Sequence, residues 1–326
     1  KLTPYIYREN KGLLRNLIVR QGMRTEADPD MSGSLGERTG EILINLIISH
    51  EEFSSALKTE LKDVLAPHSV TSLYVTSIHT EPGKPTKQVE ELIAGAPYIH
   101  EKMTIQKDDE IDDTHSKAKS KTQTFTFQIS PSSFFQTNTR QAELLYGEVL
   151  KSMGLTKDDI VLDLFCGTGT IGMFIAPHVK KVIGIELSAD AVENAKVNAT
   201  RNEVGNMEFI AGDVGHVLEA FQKEGRADEL KGQKVVLDPP RSGLTPKMLE
   251  QVLALSPKEI VYVSCNPTTQ ARDIKYLIGQ LSEGAAPEPN SLQTTTVRYA
   301  LASLAPIDMF PHTYHIENIA HLTRIN

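Results

Sequence analysis

The chain carries two cysteines, Cys166 and Cys265, in different surroundings. Cys265 follows Ile260-Val-Tyr-Val263, a β-branched and aromatic run with the texture of a buried parallel strand, and Asn266-Pro267 ends that strand just beyond it. The carboxyl end of a strand in an open α/β sheet is where such sheets bind ligands, and a thiol there can be a nucleophile. Cys166 sits inside a glycine turn without a partner and reads as a small buried hydrophobe. Four acids end other strand-like runs in a similar way: Asp163 after Ile160-Val-Leu, Glu186 after Val182-Ile-Gly-Ile, Asp213 after the run from Met207 to Ile210, and Asp238 after Val235-Val-Leu.

Between the first two acids, Gly167 and Gly169 let the backbone turn tightly and approach a ligand. An acid placed like Glu186 can accept both ribose hydroxyls of an adenosine, which suits a dinucleotide or S-adenosylmethionine. Two features favour S-adenosylmethionine. The loop Asp163-Leu-Phe-Cys-Gly-Thr-Gly169 lacks the third glycine that packs a helix close under a pyrophosphate, and it brings a carboxylate towards a ligand that carries a sulfonium and an amino group. Asp238-Pro-Pro-Arg241 adds a rigid loop at another strand end, the place where methyltransferases orient the acceptor base.

These residues need elements to hold them. From Thr124 onward, strand-like and helix-like segments alternate: strands near 125–129, 160–164, 182–187, 207–210, 235–238 and 260–263, with helices from Asn138 or Thr139 to Met153, from about Ile171, through Ala191 to Ala199, and from Pro246 to Leu255. Such alternation predicts a parallel, doubly wound α/β sheet. Runs at 300–305 and 319–325 look like late strands that close the edge antiparallel. The loop Ser130–Asn138 is polar with two aromatics, Phe134 and Phe135, that read as buried. Residues 1–123 predict a smaller α+β domain: strands at 13–19 and 41–49, a Gly, Ser and Asp-rich loop at 28–40, a helix at 53–65 closed by Pro67, and a strand at 72–78. The charge-rich stretch 101–122 reads as a solvated loop at the boundary with the catalytic domain, 124–326.

The chain's 326 residues, 40% hydrophobic, suit two domains. No apolar run reaches the length of a membrane span, and the start has no signal-peptide pattern. Two cysteines are too few for a disulfide framework or a cysteine-ligated cluster, so no metal is expected. The net charge of −8 argues against indiscriminate nucleic-acid binding but leaves room for a locally basic cleft. The expectation is a monomer, cytoplasmic, with an organelle or the nucleus as alternatives.

Five segments, Phe134-Phe-Gln-Thr-Asn138, Asp163-Leu-Phe-Cys-Gly-Thr-Gly169, Asp238-Pro-Pro-Arg241, Ser264-Cys-Asn-Pro267 and Asp308-Met-Phe-Pro-His-Thr-Tyr-His-Ile-Glu317, together resemble the RNA (uracil-5-)-methyltransferase family. The resemblance covers 124–326 in order; residues 1–123 resemble the family only loosely and are expected to contact RNA. It implies a Rossmann-like class I methyltransferase domain that makes 5-methyluridine in tRNA or large-subunit rRNA with S-adenosylmethionine. Cys265 matches the family's nucleophile and Glu317 its proton acceptor. Gln136, Phe165, Thr170, Glu186, Asp213 and Asp238 match its cofactor positions, alongside Gly167 and Gly169, although relatives often carry Asn in place of Thr170 and the position of Asp213 varies in type. Asp238 could instead bond the uracil edge. A methyltransferase acting on an amino group is the competing reading, and it would need neither Cys265 nor Glu317.

Overall fold

The computed structural model describes residues 3–22, 40–49, 53–80, 83–84, 86–106, 122–226, 230, 233–279 and 298–325. The chain forms two compact units, Lys1–Lys102 with Thr126–Ser133, and Met103–Phe125 with Phe134–Asn326. A single cut at 123/124 therefore does not describe it. The expected loop at 28–40, except Gly40, and the charged run 107–121 lie outside the described residues.

In the first unit, β1 (Leu14–Gln21), β2 (Ile42–Ile48), α1 (Ser55–Leu65), β3 (Ser72–His79) and β4 (Lys87–Gly95) give a four-stranded sheet in the order β1-β2-β3-β4. β2 and β3 are parallel and joined through α1, while the outer pairs are antiparallel. The Ser54 side chain opens α1 by accepting the Leu57 N–H at 3.3 Å. Leu13, Ile48, Phe53, Leu73, Val75 and Ile93 form its core, with Leu57, Leu61 and Leu65 of α1 packed on it.

Two strands here escape the sequence pattern. β4, Lys-Gln-Val-Glu-Glu-Leu-Ile-Ala-Gly, is exposed along its first six residues and shows no two-residue alternation. β5 (Ile99–Gln106) runs into the stretch 101–122 that reads as a loop. Ile99, Glu101, Met103 and Ile105 are all buried in proper alternation, but the glutamate in their midst hides it. β5 pairs with β6 (Thr122–Ile129) as a two-stranded ribbon.

The second unit opens with α2 (Thr139–Ser152) and then alternates: β7 (Ile160–Leu164), α3 (Thr170–Ile175), β8 (Lys181–Glu186), α4 (Ala189–Arg201), β9 (Met207–Ala211), α5 (Val214–Lys223), β10 (Lys234–Leu237), α6 (Pro246–Leu255), β11 (Glu259–Ser264), α7 (Pro267–Leu277), β12 (Tyr299–Ile307) and β13 (Glu317–Arg324). Its seven strands lie in the order β12-β13-β11-β10-β7-β8-β9. The pairs from β11 to β9 are parallel, and β13 joins β11 and β12 antiparallel, as the late strands predict. This is the doubly wound, Rossmann-like sheet expected from the sequence, with its switch point between β7 and β10. α7 is an element the sequence reading did not locate.

Local chemistry explains the alternation. Ser188, Asp213, Thr245 and Asn266 stand just ahead of α4, α5, α6 and α7, and each side chain accepts a first-turn N–H, from Ala191, His216, Met248 and Thr268. Val235, Leu237, Leu162, Leu164, Ile183, Ile185, Ile260 and Tyr262 fill the core, each aliphatic side chain contributing roughly 1.5–3 kcal/mol on full burial. At the amino edge, the buried Lys234 Nζ pairs with Asp159 at 3.3 Å and Glu259 at 3.1 Å and bonds the Gly154 carbonyl at 2.8 Å. Among the described residues, no helix is long and apolar enough to cross a membrane.

Candidate active site

The carboxyl ends of β7 and β8 are joined by backbone. Phe165, Gly167 and Gly169 all take left-handed φ, at 68°, 54° and 76°. The N–H groups of Phe165 and Cys166 donate to the Ile185 carbonyl at 2.9 and 3.1 Å, pinning the turn to β8. A Cβ at Gly169 would stand 2.9 Å from the Phe209 ring, whereas one at Gly167 would meet nothing within 4 Å. Gly167 thus borders open space, as a ligand-facing turn requires. The half-buried Glu186 carboxylate accepts the Gly167 N–H at 3.1 Å and the Ser188 N–H at 2.8 Å, one on each oxygen. Both oxygens keep lone pairs for a further donor.

Asp163, on β7, is fully buried. Its Oδ2 accepts the Gly172 N–H at 3.0 Å, and its Oδ1 has no hydrogen-bond partner among the described residues. Burial pushes its carboxyl up to about 7, with the Glu186 charge adding and the Gly172 bond opposing.

Across the switch point the groups come from distant segments. Ser264 of β11 pairs with Asn318 of β13, so Cys265 and Glu317 each adjoin the last pair of that ladder. Glu317 is 5% exposed, and burial raises its carboxyl above the usual range. Cys265 is half-buried. Burial raises its thiol, the charges of Glu317 and Asp238 raise it further, and Arg241 pulls it back down. Asp238, at the end of β10, is pushed up to about 8 by burial, then by Glu317 and Asp163. Burial thus raises all three carboxyls and the thiol, while the charges of Glu317 and Asp163 act on Asp238, and those of Glu317 and Asp238 on Cys265.

Side chains of α7 and of its cap Asn266 bolt the Asp238-Pro-Pro-Arg241 loop to the Cys265 loop. Asn266 Nδ2 and Thr269 Oγ1 donate to the Arg241 carbonyl at 3.1 and 3.2 Å. The buried Asp273 accepts the Leu244 N–H at 2.8 Å, the Tyr262 hydroxyl at 2.7 Å and Arg272 Nε at 2.9 Å. Gln270, also buried, donates through Nε2 to the Tyr262 and Asn318 carbonyls at 2.7 and 3.0 Å, tying β11 to β13 beside the Cys265–Glu317 pair.

The structure thus brings Cys265, Glu317, Asp238 and Asp163 into one electrostatic group, with Glu186 beside Asp163. Thr170 joins it through Tyr146, whose buried hydroxyl lies 3.2 Å from Thr170 Oγ1 and feels the charges of Asp238, Asp163 and Glu317. Tyr146 was missed in the sequence. Its signal is a hydroxyl on the apolar stripe Ala142, Leu145, Tyr146, Val149 of α2, where a buried phenol needs a partner. Asp213 is exposed at the end of β9 and caps α5 by accepting the His216 N–H at 3.0 Å. Gln136 sits half-buried ahead of α2. Among the described residues, no hydrogen bond links the Gln136 or Asp213 side chain to the carboxyl group. Phe134, expected to be buried, is 69% exposed, while Phe135 is half-buried. Cys166 is buried with its thiol raised by burial, as a structural residue should be.

S-adenosylmethionine fits this set of residues. The orphaned, buried Asp163 Oδ1 and the mutual repulsion of the carboxyls are costly features of the free protein that a cationic ligand would relieve. Glu186 offers paired acceptor oxygens, and Gly167 borders open space.

The model of the tRNA (uracil-5-)-methyltransferase family matches residues 90–325. The chain is 35% identical to an uncharacterized RNA methyltransferase of Protochlamydia amoebophila, across 97% of this chain and 64% of that protein. It is 34% identical to one of Chlorobaculum tepidum, across 99% of this chain and 56% of that protein. Among solved structures, it is similar to the Pyrococcus abyssi tRNA (uracil-54, C5)-methyltransferase in complex with S-adenosyl-L-homocysteine, with 25% identity and a TM-score of 0.64, covering 99% of this chain and 63% of that one. The chain thus spans less than two thirds of the length of these relatives. The reach of the family model and the identity to these relatives place it: the chain belongs to the tRNA (uracil-5-)-methyltransferase family.

Proposed function

We propose that this protein methylates carbon 5 of a uridine in RNA, with Cys265 as nucleophile, Glu317 as proton acceptor and S-adenosylmethionine as cofactor. The observation that carries the reading is the β11–β13 ladder, whose last pair, Ser264 and Asn318, adjoins Cys265 and the buried Glu317, together with the effect of the Glu317 charge on the Cys265 thiol.

Carbon 5 of uracil is a weak nucleophile. In the proposed reaction, the half-buried Cys265 thiol gives its proton to solvent, its sulfur bonds to carbon 6, and the electrons of the 5,6 double bond move towards the carbonyl at carbon 4. The Arg241 guanidinium favours the thiolate that this step needs. Burial and the charges of Glu317 and Asp163 favour the protonated form of Asp238, a form that could donate to the oxygen that gains charge. When bound, the cofactor supplies an electrophilic methyl group on a positively charged sulfur. Asp163 would meet its charged end, Gly167 and Gly169 its backbone-facing side, and Glu186 its ribose, with Gln136, Phe165, Thr170 and Asp213 as further contacts, and with Asp238 either beside them or on the uracil edge. Once carbon 5 carries the methyl group, Glu317 takes the carbon-5 proton, the 5,6 double bond re-forms, and the carbon 6–sulfur bond breaks to return Cys265.

Nucleoside mass spectrometry tests the product. Unmodified transcripts of tRNA and large-subunit rRNA, incubated with the protein and S-adenosylmethionine, should gain 5-methyluridine in one of the two. Methyl groups found only on exocyclic amino groups would overturn the reading.

A further inference from the structure

Close to Glu317 in the chain, an aromatic ring is exposed on a braced support. Tyr314 is 85% exposed, and its ring lies 4.1 Å from that of His315, inclined by 41°. His315 is held from three directions. Phe310 meets its ring edge-on at 6.4 Å, Arg241 Nη2 donates to its Nδ1 at 3.3 Å, and its own N–H donates to Thr313 Oγ1 at 3.1 Å. The turn beneath is closed by Thr313, whose N–H and hydroxyl donate to the Phe310 carbonyl at 3.1 and 2.8 Å. Asn138 anchors it by donating Nδ2 to the Met309 carbonyl at 3.1 Å. Because Arg241 pairs here with an imidazole and not a carboxylate, the contact leaves its charge unneutralised.

Reaction at carbon 6 requires the target base to leave its stack and reach the half-buried Cys265. At that moment the neighbouring base loses a stacking partner, and RNA-binding proteins cover such faces with aromatic side chains. We propose that Tyr314, stacked on His315, is the platform for the unpaired nucleobase adjoining the target uridine, with Arg241 taking the phosphate between the two nucleotides. The proposal rests on the uridine reading above and adds a binding subsite to it. The target base itself is the wrong occupant, since Tyr314 stands out in solvent while Glu317 is buried. A protein docked on Tyr314 would cover Arg241 and the loop leading to Glu317, where the substrate must arrive. Stacking without hydrogen-bond readout tolerates any base, with purines held best.

Fluorescein-labelled RNA nonamers with one central uridine provide the test, with adenosine on both sides of it or abasic ribose on both sides. Binding is followed by anisotropy with the protein saturated with S-adenosylhomocysteine. Tyr314→Ala should bind the adenosine-flanked RNA about ten-fold more weakly than wild type and the abasic RNA about equally, while Tyr314→Trp keeps wild-type affinity for both. Unchanged S-adenosylhomocysteine affinity in each variant shows that the fold is intact. Equal affinity of Tyr314→Ala for the adenosine-flanked RNA, equal losses on both RNAs, or no binding by wild type overturns the platform. A change in oligomeric state without a change in RNA affinity also overturns it and assigns the ring to a protein surface. The two readings fail separately. If 5-methyluridine forms and Tyr314→Ala binds normally, only the platform falls; if no 5-methyluridine forms, the uridine reading falls.

Discussion

At the ends of β7 and β8 the groups available to a ligand are held by backbone: Glu186 by the N–H groups of Gly167 and Ser188, Asp163 by that of Gly172, and the turn by the Ile185 carbonyl. At the ends of β10, β11 and β13 they are held by side chains from distant segments, through Asn266, Thr269, Gln270 and Asp273. The first side is a local construction that one βαβ segment can specify. The second exists only when β13 inserts antiparallel beside β11 in one register, because a slip of one residue would turn Glu317 to the other face. Damage should therefore separate cleanly, with cofactor affinity lost on one side and chemistry on the other.

The largest effect is expected on the reacting side. Glu317→Gln keeps the volume and removes the proposed base, so turnover should fall by roughly two to four orders of magnitude. Uridine RNA should then accumulate as a methylated covalent complex in a denaturing gel, with S-adenosylhomocysteine affinity near wild type. Release of free product at the normal rate would assign the proton to another group.

Asp273→Ala sharpens the comparison, since Asp273 is buried and holds the Tyr262 hydroxyl and the Leu244 N–H without touching the reacting groups. Leaving a buried donor unpaired costs about 1–3 kcal/mol, so the variant should melt lower and turn over more slowly while binding S-adenosylhomocysteine as before. Loss of cofactor affinity in proportion to turnover would show that the two sides are one cooperative unit.

On the cofactor side, Glu186→Ala removes paired acceptor oxygens. Calorimetry should show S-adenosylhomocysteine binding weakened by about ten-fold, with the Cys265 adduct still forming at saturating ligand. A wild-type dissociation constant would move the adenosine elsewhere.

The smallest effect is a pH dependence. The Asp238 carboxyl is raised from 3.8 to about 8, so the fold favours its protonated form. That contribution to stability is complete below about pH 4 and is lost as pH rises through the folded value. Between about pH 5 and 8 the melting temperature of wild type should fall relative to that of Asp238→Asn, whose amide does not titrate. Parallel curves would show that Asp238 is ionised throughout.

The side proposed to hold the cofactor is the more legible in the sequence, and for the same physical reason. Asp163, Gly167, Gly169 and Glu186 announce themselves through strand-ending runs and a glycine turn, all within one segment. The parallel core followed from its β-branched runs, and the antiparallel closure from two late strands. What stayed hidden depends on partners far along the chain. The Asp273–Tyr262 bond, the Gln270 bridge and the Tyr146–Thr170 contact have no local pattern. β5 was masked by Glu101 at a buried position, and Phe134 looked buried by composition alone. Cys265 stood out at its strand end, but Glu317 gained a role only through the resemblance of its whole segment, because nothing local distinguishes it from a surface carboxylate.

Covalent attack by Cys265 is the central claim, and RNA carrying 5-fluorouridine at the target position tests it most directly. Fluorine cannot leave as a cation after methyl transfer, so elimination stalls and the protein should remain bonded to the RNA. Mass spectrometry of the digested complex should find the methylated fluorouracil on the peptide containing Cys265, and Cys265→Ala should form no complex while retaining S-adenosylhomocysteine affinity. An adduct on another residue, or an adduct that survives Cys265→Ala, would contradict the account.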